Sequence, residues 1–342
     1  MAVPQGTVLG PVLFLVYIND LSTNIKNCTV SSFADDTRIK KKISNENDVT
    51  TLQEAVIDAT TWSNDNNMRL HEHKFELLLH ASRKKPTSDL PFSNQFFEYE
   101  TVSGQTIYDT PMVRDLGINL TPELSWSPHI NIICDSARQM SSWVLSVFSD
   151  RTETTMLTLY KTMIRNTLEY CSPLWCPSKI SDIQSLEGIQ RHFTSRISGY
   201  SDMSYWERLH GLDLMSLQRR RERYIIILMF KLLNNMMPND LYVKFTHSDR
   251  RGIRAIVPPL TKTASAKAQS KYDESFAVLG PKLWNCIPSD TTKITKLVTF
   301  KTSLGKYLKQ IPDQPPTLGY TAVNNNSLLQ HSVRGRPLGR RR

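Results

Sequence analysis

Two aspartates stand side by side at Asp35 and Asp36, after the short approach Ser32-Phe33-Ala34, and no other stretch restricts the fold as tightly. Adjacent ionised acids repel each other, so a chain holds them together where a divalent cation or water neutralises them. Magnesium, with its preference for hard oxygen ligands, suits such a pair. Two readings are open. One is a turn, because Asp favours turns and the pair is followed by Thr37 and Arg38. The other is a metal-binding tip for phosphoryl transfer, in which two ions about 3.5 to 4 Å apart clamp the attacking and leaving oxygens. Both put the acids at a hairpin apex, with Val30 to Phe33 as a short strand and Thr37 to Ile43 as its return.

The stretch upstream separates these readings. Val3-Pro4-Gln5-Gly6-Thr7-Val8-Leu9-Gly10-Pro11 runs into Val12-Leu13-Phe14-Leu15-Val16-Tyr17-Ile18-Asn19-Asp20-Leu21. Gly6 and Gly10 permit close backbone approach, and Leu9, Leu13, Val16 and Tyr17 recur at helical spacing. With PQGTVLGP, YINDL and FADDT in this order, the chain resembles the reverse transcriptases of non-long-terminal-repeat retrotransposons, the LINE-type elements near the Jockey and CR1 groups. The resemblance implies a polymerase palm in which Pro4, Gln5 and Gly6 border the template and the incoming nucleotide. It also implies that Asp35 and Asp36 are catalytic ligands of Mg2+, with an RNA template and a DNA primer as partners.

Downstream, Asp48 to Asn66 reads as an amphipathic helix with Val49, Leu52, Val56, Ala59 and Trp62 on one face. Met68 to Leu79 resembles the next palm motif of that family, whose lysine lies near the pyrophosphate leaving group; Lys74 occupies that position. A lysine there neutralises or protonates a departing phosphate, and the alternative is a solvated surface charge. The family usually has Asn where this chain has His71. His71 and His73 alternate rather than stand four apart, which reads as surface rather than as a zinc site. Between Arg83 and Thr110, Pro86, Pro91 and Gly104 predict loops with a short hairpin. Val113-Arg114-Asp115-Leu116-Gly117-Ile118 resembles the hairpin that grips the primer strand. There Arg114 and Gly117 are expected at a phosphate, with an ordinary surface arginine as the alternative.

From Ser127 onward the pattern becomes helical. Pro128 suits a first turn, and Ile130, Ile133, Ala137 and Met140 continue an apolar face. A second helix is expected over Glu153 to Tyr170 with Met156, Leu159, Tyr160, Met163 and Leu168 inward, closed by Trp175 and Pro177. Cys171 and Cys176 have no matching pair, which argues against zinc. Further helices are predicted over Ile183 to Ile197, from Tyr205, and over Met215 to Asn234. The last mixes Arg219, Arg220, Arg221 and Arg223 with apolar residues, so Arg219, Arg220 and Arg223 are candidates to track a phosphate backbone; a solvated helix face is the alternative. Beyond Pro238, Arg250-Arg251-Gly252-Ile253-Arg254 and Pro258-Pro259 read as a basic linker. Ser275 to Asn285 and Phe300 to Leu304 resemble the family's C-terminal signature, with Trp284 as a packing anchor. Asn324 to Arg342 reads as a disordered basic tail.

The reading is therefore an α+β protein: a partial reverse-transcriptase palm with a small antiparallel sheet (1–119), a helical thumb-like region (120–235), a mostly helical C-terminal extension (236–320) and a tail (321–342). Its 342 residues are 39% hydrophobic and 22% charged, ordinary for a globular chain, and the net charge of +10 favours a polyanionic partner. The longest apolar runs, Val12 to Ile18 and Tyr224 to Phe230, fall short of the roughly 20 residues that span a bilayer. No signal peptide is evident. The scattered Cys28, Cys134, Cys171, Cys176 and Cys286 suggest reduced thiols and an intracellular setting, nucleus or cytoplasm.

The family draws its first catalytic carboxylate and its fingers from sequence upstream of the Pro4 motif, and this sequence begins at Met1. Asp20 is no substitute, reading as a turn or capping residue. The expectation is a reverse transcriptase by ancestry, inactive as this chain, whose missing half a partner chain would supply. The alternative is a noncatalytic nucleic-acid-binding remnant that uses the basic helices and tail.

Overall fold

The computed structural model describes residues 6–80, 98–237, 246–250, 253–257, 266–317 and 326–333. Pro4, Gln5, the Pro86 and Pro91 segment, Arg251-Gly252, Pro258-Pro259 and most of the expected tail lie outside them. The chain divides into two compact units, Met1–Arg114 with Thr121–Glu123, and Asp115–Leu120 with Leu124–Arg342.

The first unit opens with α1 (Gly10–Ile18) and α2 (Leu21–Asn24), then the antiparallel pair β1 (Thr29–Phe33) and β2 (Asp36–Lys40). Next comes α3 (Glu46–Asp65), started by a reciprocal capping box in which the Asn45 side chain accepts from the Asp48 backbone and Asp48 accepts from Asn45. One stripe of α3, Ala55, Ala59 and Trp62, packs with Ile18, Leu21 and Ile25. Val30 and Ile39 of the hairpin close over this small core. The Met68 to Leu79 stretch forms a single 3-10 turn at Glu72–Lys74. The hairpin expected before Thr110 is β3 (Tyr99–Glu100) with β4 (Thr106–Ile107). The division between units falls within β5 (Val113–Asp115), which pairs with β6 (Ile118–Leu120).

The second unit is helical. It begins with α4 (Ser127–Val147), whose Ile130, Ile133 and Ala137 are buried, and α5 (Glu153–Leu159). A π-helical turn at Tyr160–Ile164 separates α5 from α6 (Arg165–Glu169). That extra residue rotates the helix beyond it, so Ile164 turns inward beside Met156, Leu157, Tyr160 and Leu168, while Leu159 and Met163 are only partly buried. The chain continues through α7 (Ile180–Thr194), α8 (Tyr205–Gly211) and α9 (Leu217–Leu233). Then come β7 (Thr246–Arg250) paired with β8 (Ile253–Val257), α10 (Ala266–Asp273), α11 (Phe276–Trp284), α12 (Ser289–Thr292), α13 (Leu297–Lys309) and α14 (Leu328–Val333).

Two apolar clusters organise this unit. The first gathers α4 to α7 around Trp175, whose indole N–H donates to Tyr170 O at 2.8 Å. The second wraps α9, α11 and α13, with Phe230 stacked on Phe300 at 4.2 Å between ring centroids and Trp284 beside them. Trp284 is thus the anchor its sequence context suggests. Asn285 pairs both its amide groups with Ile256, donating to the carbonyl at 2.8 Å and accepting from the N–H at 3.1 Å, so a side chain substitutes for a neighbouring strand. None of the described helices is long and apolar enough to cross a membrane.

Candidate active site

The hairpin places its two acids differently. Phe33 pairs with Asp36, leaving Ala34 and Asp35 as a two-residue turn in which Ala34 takes a left-handed φ of +52°. Asp35 is therefore the tip and Asp36 the first residue of the returning strand. Side chains alternate across the ribbon. Val30 and Ile39 face the core, Ser32 and Thr37 share that face nearer the tip with their hydroxyls 3.0 Å apart, and Phe33 and Asp36 take the opposite face. Both carboxylates are exposed, as is Phe33. The hydroxyl pair beneath the tip was not singled out from sequence; only the strand register reveals it.

Two exposed, adjacent carboxylates on a braced hairpin fit a magnesium ion of the open kind, held by one or two carboxylates while water and substrate phosphates complete the shell. Among the described residues no group of three or more His, Cys, Asp or Glu side chains converges on a metal-sized site. Asp20 does not join them. It occupies the N-cap position of α2, and its carboxylate accepts the Trp62 indole N–H at 3.1 Å.

Gly6 has φ +85° and an exposed backbone, with no atom within 4 Å of where a side chain would begin. Lys74 ends the 3-10 turn with its side chain exposed. Beside it Glu72 accepts from the Ser103 and Thr101 hydroxyls, which hold its carboxyl below the usual range. Arg114 is exposed on β5. Gly117, φ +85°, forms with Leu116, φ +45°, the turn between β5 and β6. Tyr170, whose hydroxyl donates to Leu116 O at 3.1 Å, secures that turn.

The α9 arginines depart from the phosphate-tracking face that the sequence suggests. Arg219 is fully buried and donates to Pro312 O and Asn326 O, each at 3.0 Å. Arg220 forks onto Glu169, with a second bond at 2.8 Å, and also donates to Tyr224. Arg223 is half-buried, and burial followed by the nearby Arg220 lowers its pKa. The Arg219 and Arg220 guanidiniums tie α9 to distant parts of the chain. A group enclosed by carbonyls and carboxylates has no face left for a phosphate oxygen.

Residues 1–120 match the family described as reverse transcriptase (RNA-dependent DNA polymerase). This N-terminal segment is reverse-transcriptase sequence. The chain is also 25% identical over 208 residues to the RNA-directed DNA polymerase from mobile element jockey of Drosophila melanogaster, an alignment covering 58% of this chain and 22% of that protein. It is 22% identical over 205 residues to the probable RNA-directed DNA polymerase from transposon X-element of the same organism, with the same 58% and 22% coverage. The alignments thus span about a fifth of each relative's length, 22%. No solved structure matches. The reverse-transcriptase segment contains the Asp35-Asp36 hairpin, Gly6, Lys74, Arg114 and Gly117, whereas the α9 arginines lie beyond it.

Proposed function

We propose that this chain carries part of an RNA-directed DNA polymerase of a LINE-type mobile element, with the hairpin acids as its metal-binding point. The observation that carries the reading is the exposed Asp35-Asp36 pair on a registered hairpin inside the matched segment. Asp35 and Asp36 would hold magnesium, and the ion, when bound, would supply Lewis-acid stabilisation of the transferred phosphoryl group. Lys74 offers a charge for the departing pyrophosphate. Pro4, Gln5 and Gly6 border an RNA template, and Arg114 and Gly117 contact a DNA primer. The setting is intracellular, nucleus or cytoplasm, in keeping with five free thiols.

The apolar surface of α1 supports a partner. Val12, Leu13, Leu15 and Val16 are all more than half exposed, and a helix apolar on every side is ordinarily covered by protein. We assign that cover to polypeptide supplying fingers and the remaining palm carboxylate. Phosphoryl-transfer catalysis is almost entirely positioning and electrostatics, so two acids without a third leave this chain inactive alone. A noncatalytic nucleic-acid-binding role is the second reading, favoured by the same lack of a three-ligand group among the described residues.

Two measurements test this. Titrating magnesium while following backbone amide resonances is expected to shift the Ala34 to Thr37 signals, and Asp35→Asn with Asp36→Asn to abolish the shift. Primer extension on an RNA template with magnesium is expected to give no product. Extension that disappears in Asp35→Ala would overturn the inactivity, and magnesium shifts confined to other residues would overturn the metal assignment.

A further inference from the structure

One side of α4 meets water without the charge that ordinarily solvates a helix. Ile132, Ser136, Gln139, Met140, Trp143 and Val147 recur at spacings of three and four and fall within an arc of about 100°. Trp143 is 49% exposed, Val147 56% and Ile132 40%. Ser136 and Gln139 are exposed, and Met140 is partly buried. The 21 residues of this helix include one acid and one strong base, Asp135 and Arg138, and these two pair with each other beside the face.

The hydroxyls on this side are already satisfied. Ser136 donates to Ile132 O at 3.0 Å and Ser146 donates to Trp143 O at 2.8 Å, so neither is left unpaired when water is displaced. An exposed tryptophan on such a strip is the kind of side chain on which association energy concentrates.

The residue order decides what fits. Reversed about a point between Gln139 and Met140, the face matches itself: Ile132 falls opposite Val147, and the broad Trp143 ring falls opposite the small Ser136. Gln139 falls beside its own counterpart, where one amide can donate and the other accept. We propose that α4 is a two-fold, antiparallel docking face for a second copy of this chain. By the dimensions of a helix, the strip covers about 500 Å² on each copy and about 1,000 Å² together, the lower bound of a specific interface and the range of transient association. The face lies beyond residues 1–120 and uses none of the hairpin residues, so it is independent of the polymerase reading.

The test is sedimentation equilibrium of the nuclease-treated full chain carrying Val12→Glu and Val16→Glu, which removes α1 as a source of association, from about 2 to about 200 μM. The mass is expected to rise with concentration from one chain towards two. Added salt is expected to strengthen the association, because a basic chain repels its copies. Trp143→Glu places a charge in the apolar contact and is expected to weaken association about tenfold or more. Ser136→Glu, at an exposed position, is expected to do the same with the melting temperature unchanged, and so carries the test if Trp143→Glu disturbs folding. With Cys171→Ser removing the exposed native thiol, Gln139→Cys is expected to cross-link to its counterpart under mild oxidant. Ser136→Cys, displaced by about 10 Å along the helix from its own counterpart, is expected not to. A monomer throughout the range, full association in Ser136→Glu, cross-linking of Ser136→Cys as fast as Gln139→Cys, or association that salt dissolves would overturn the assignment.

Discussion

Gly117 shows how much one backbone angle can decide. The β5–β6 turn needs both of its residues left-handed, and Leu116 already sits at φ +45°, a conformation that disfavours a side chain. Gly117 takes φ +85°, and a Cβ there would lie 3.4 Å from the Tyr170 ring. Gly117→Ala is expected to cost about 1–2 kcal/mol, because it adds a second strained residue to the same turn. Chemical denaturation of both proteins checks it, and loss of the Tyr170 contact to Leu116 in an aromatic NMR spectrum would mark the site of damage. This turn was legible from Leu-Gly between two strand-like runs. The Tyr170 hydroxyl was not, since nothing local ties Tyr170 to Leu116.

Among elements, α1 stands apart because its apolar residues surround the helix, and only Ile18 is buried. Val12→Glu combined with Val16→Glu is expected to leave stability within about 0.5 kcal/mol, since both side chains face solvent. The same pair should lower binding of a hydrophobic dye and any self-association on a sizing column. A large loss of stability would show that α1 is packed within the unit. Periodicity located both helices but not their buried faces: Leu9, Leu13, Val16 and Tyr17 are exposed around α1, and in α3 Ala55 joins Ala59 and Trp62 in the core while Val49, Leu52 and Val56 are half-buried. The 153–169 helix was legible only in outline. Its π turn moves Ile164 into the place that regular spacing gives Met163, and an inserted residue leaves no mark in composition.

For the molecule as a whole, the least legible feature is the interior charge of α9. Arg219 and Arg221 belong to a run that reads as solvated or nucleic-acid-facing, yet both are buried with their neighbour Glu222, and the partners of Arg219 and Glu222 come from distant sequence. Glu187, also fully buried, accepts from Tyr205 at 2.6 Å and from the Gln218 N–H at 2.7 Å, and burial lifts its pKa to about 7. The sign follows from linkage: an acid whose folded pKa is raised contributes stability that is fully present below its unfolded value and is lost as pH rises through about 7. Melting temperature is therefore expected to fall between pH 5 and pH 8. Glu187→Gln, which keeps an acceptor oxygen, should flatten that slope; an unchanged slope would remove Glu187 as its source. One consequence concerns where the chain can be cut. The backbone N–H of Leu328 sits on the Glu222 carboxylate, and the Asn326 carbonyl on Arg219, so the last described helix works as a clasp. An expression boundary drawn ahead of Asn326 takes the Leu328 N–H from the Glu222 carboxylate and one of two carbonyls from Arg219, however dispensable the final residues look on paper.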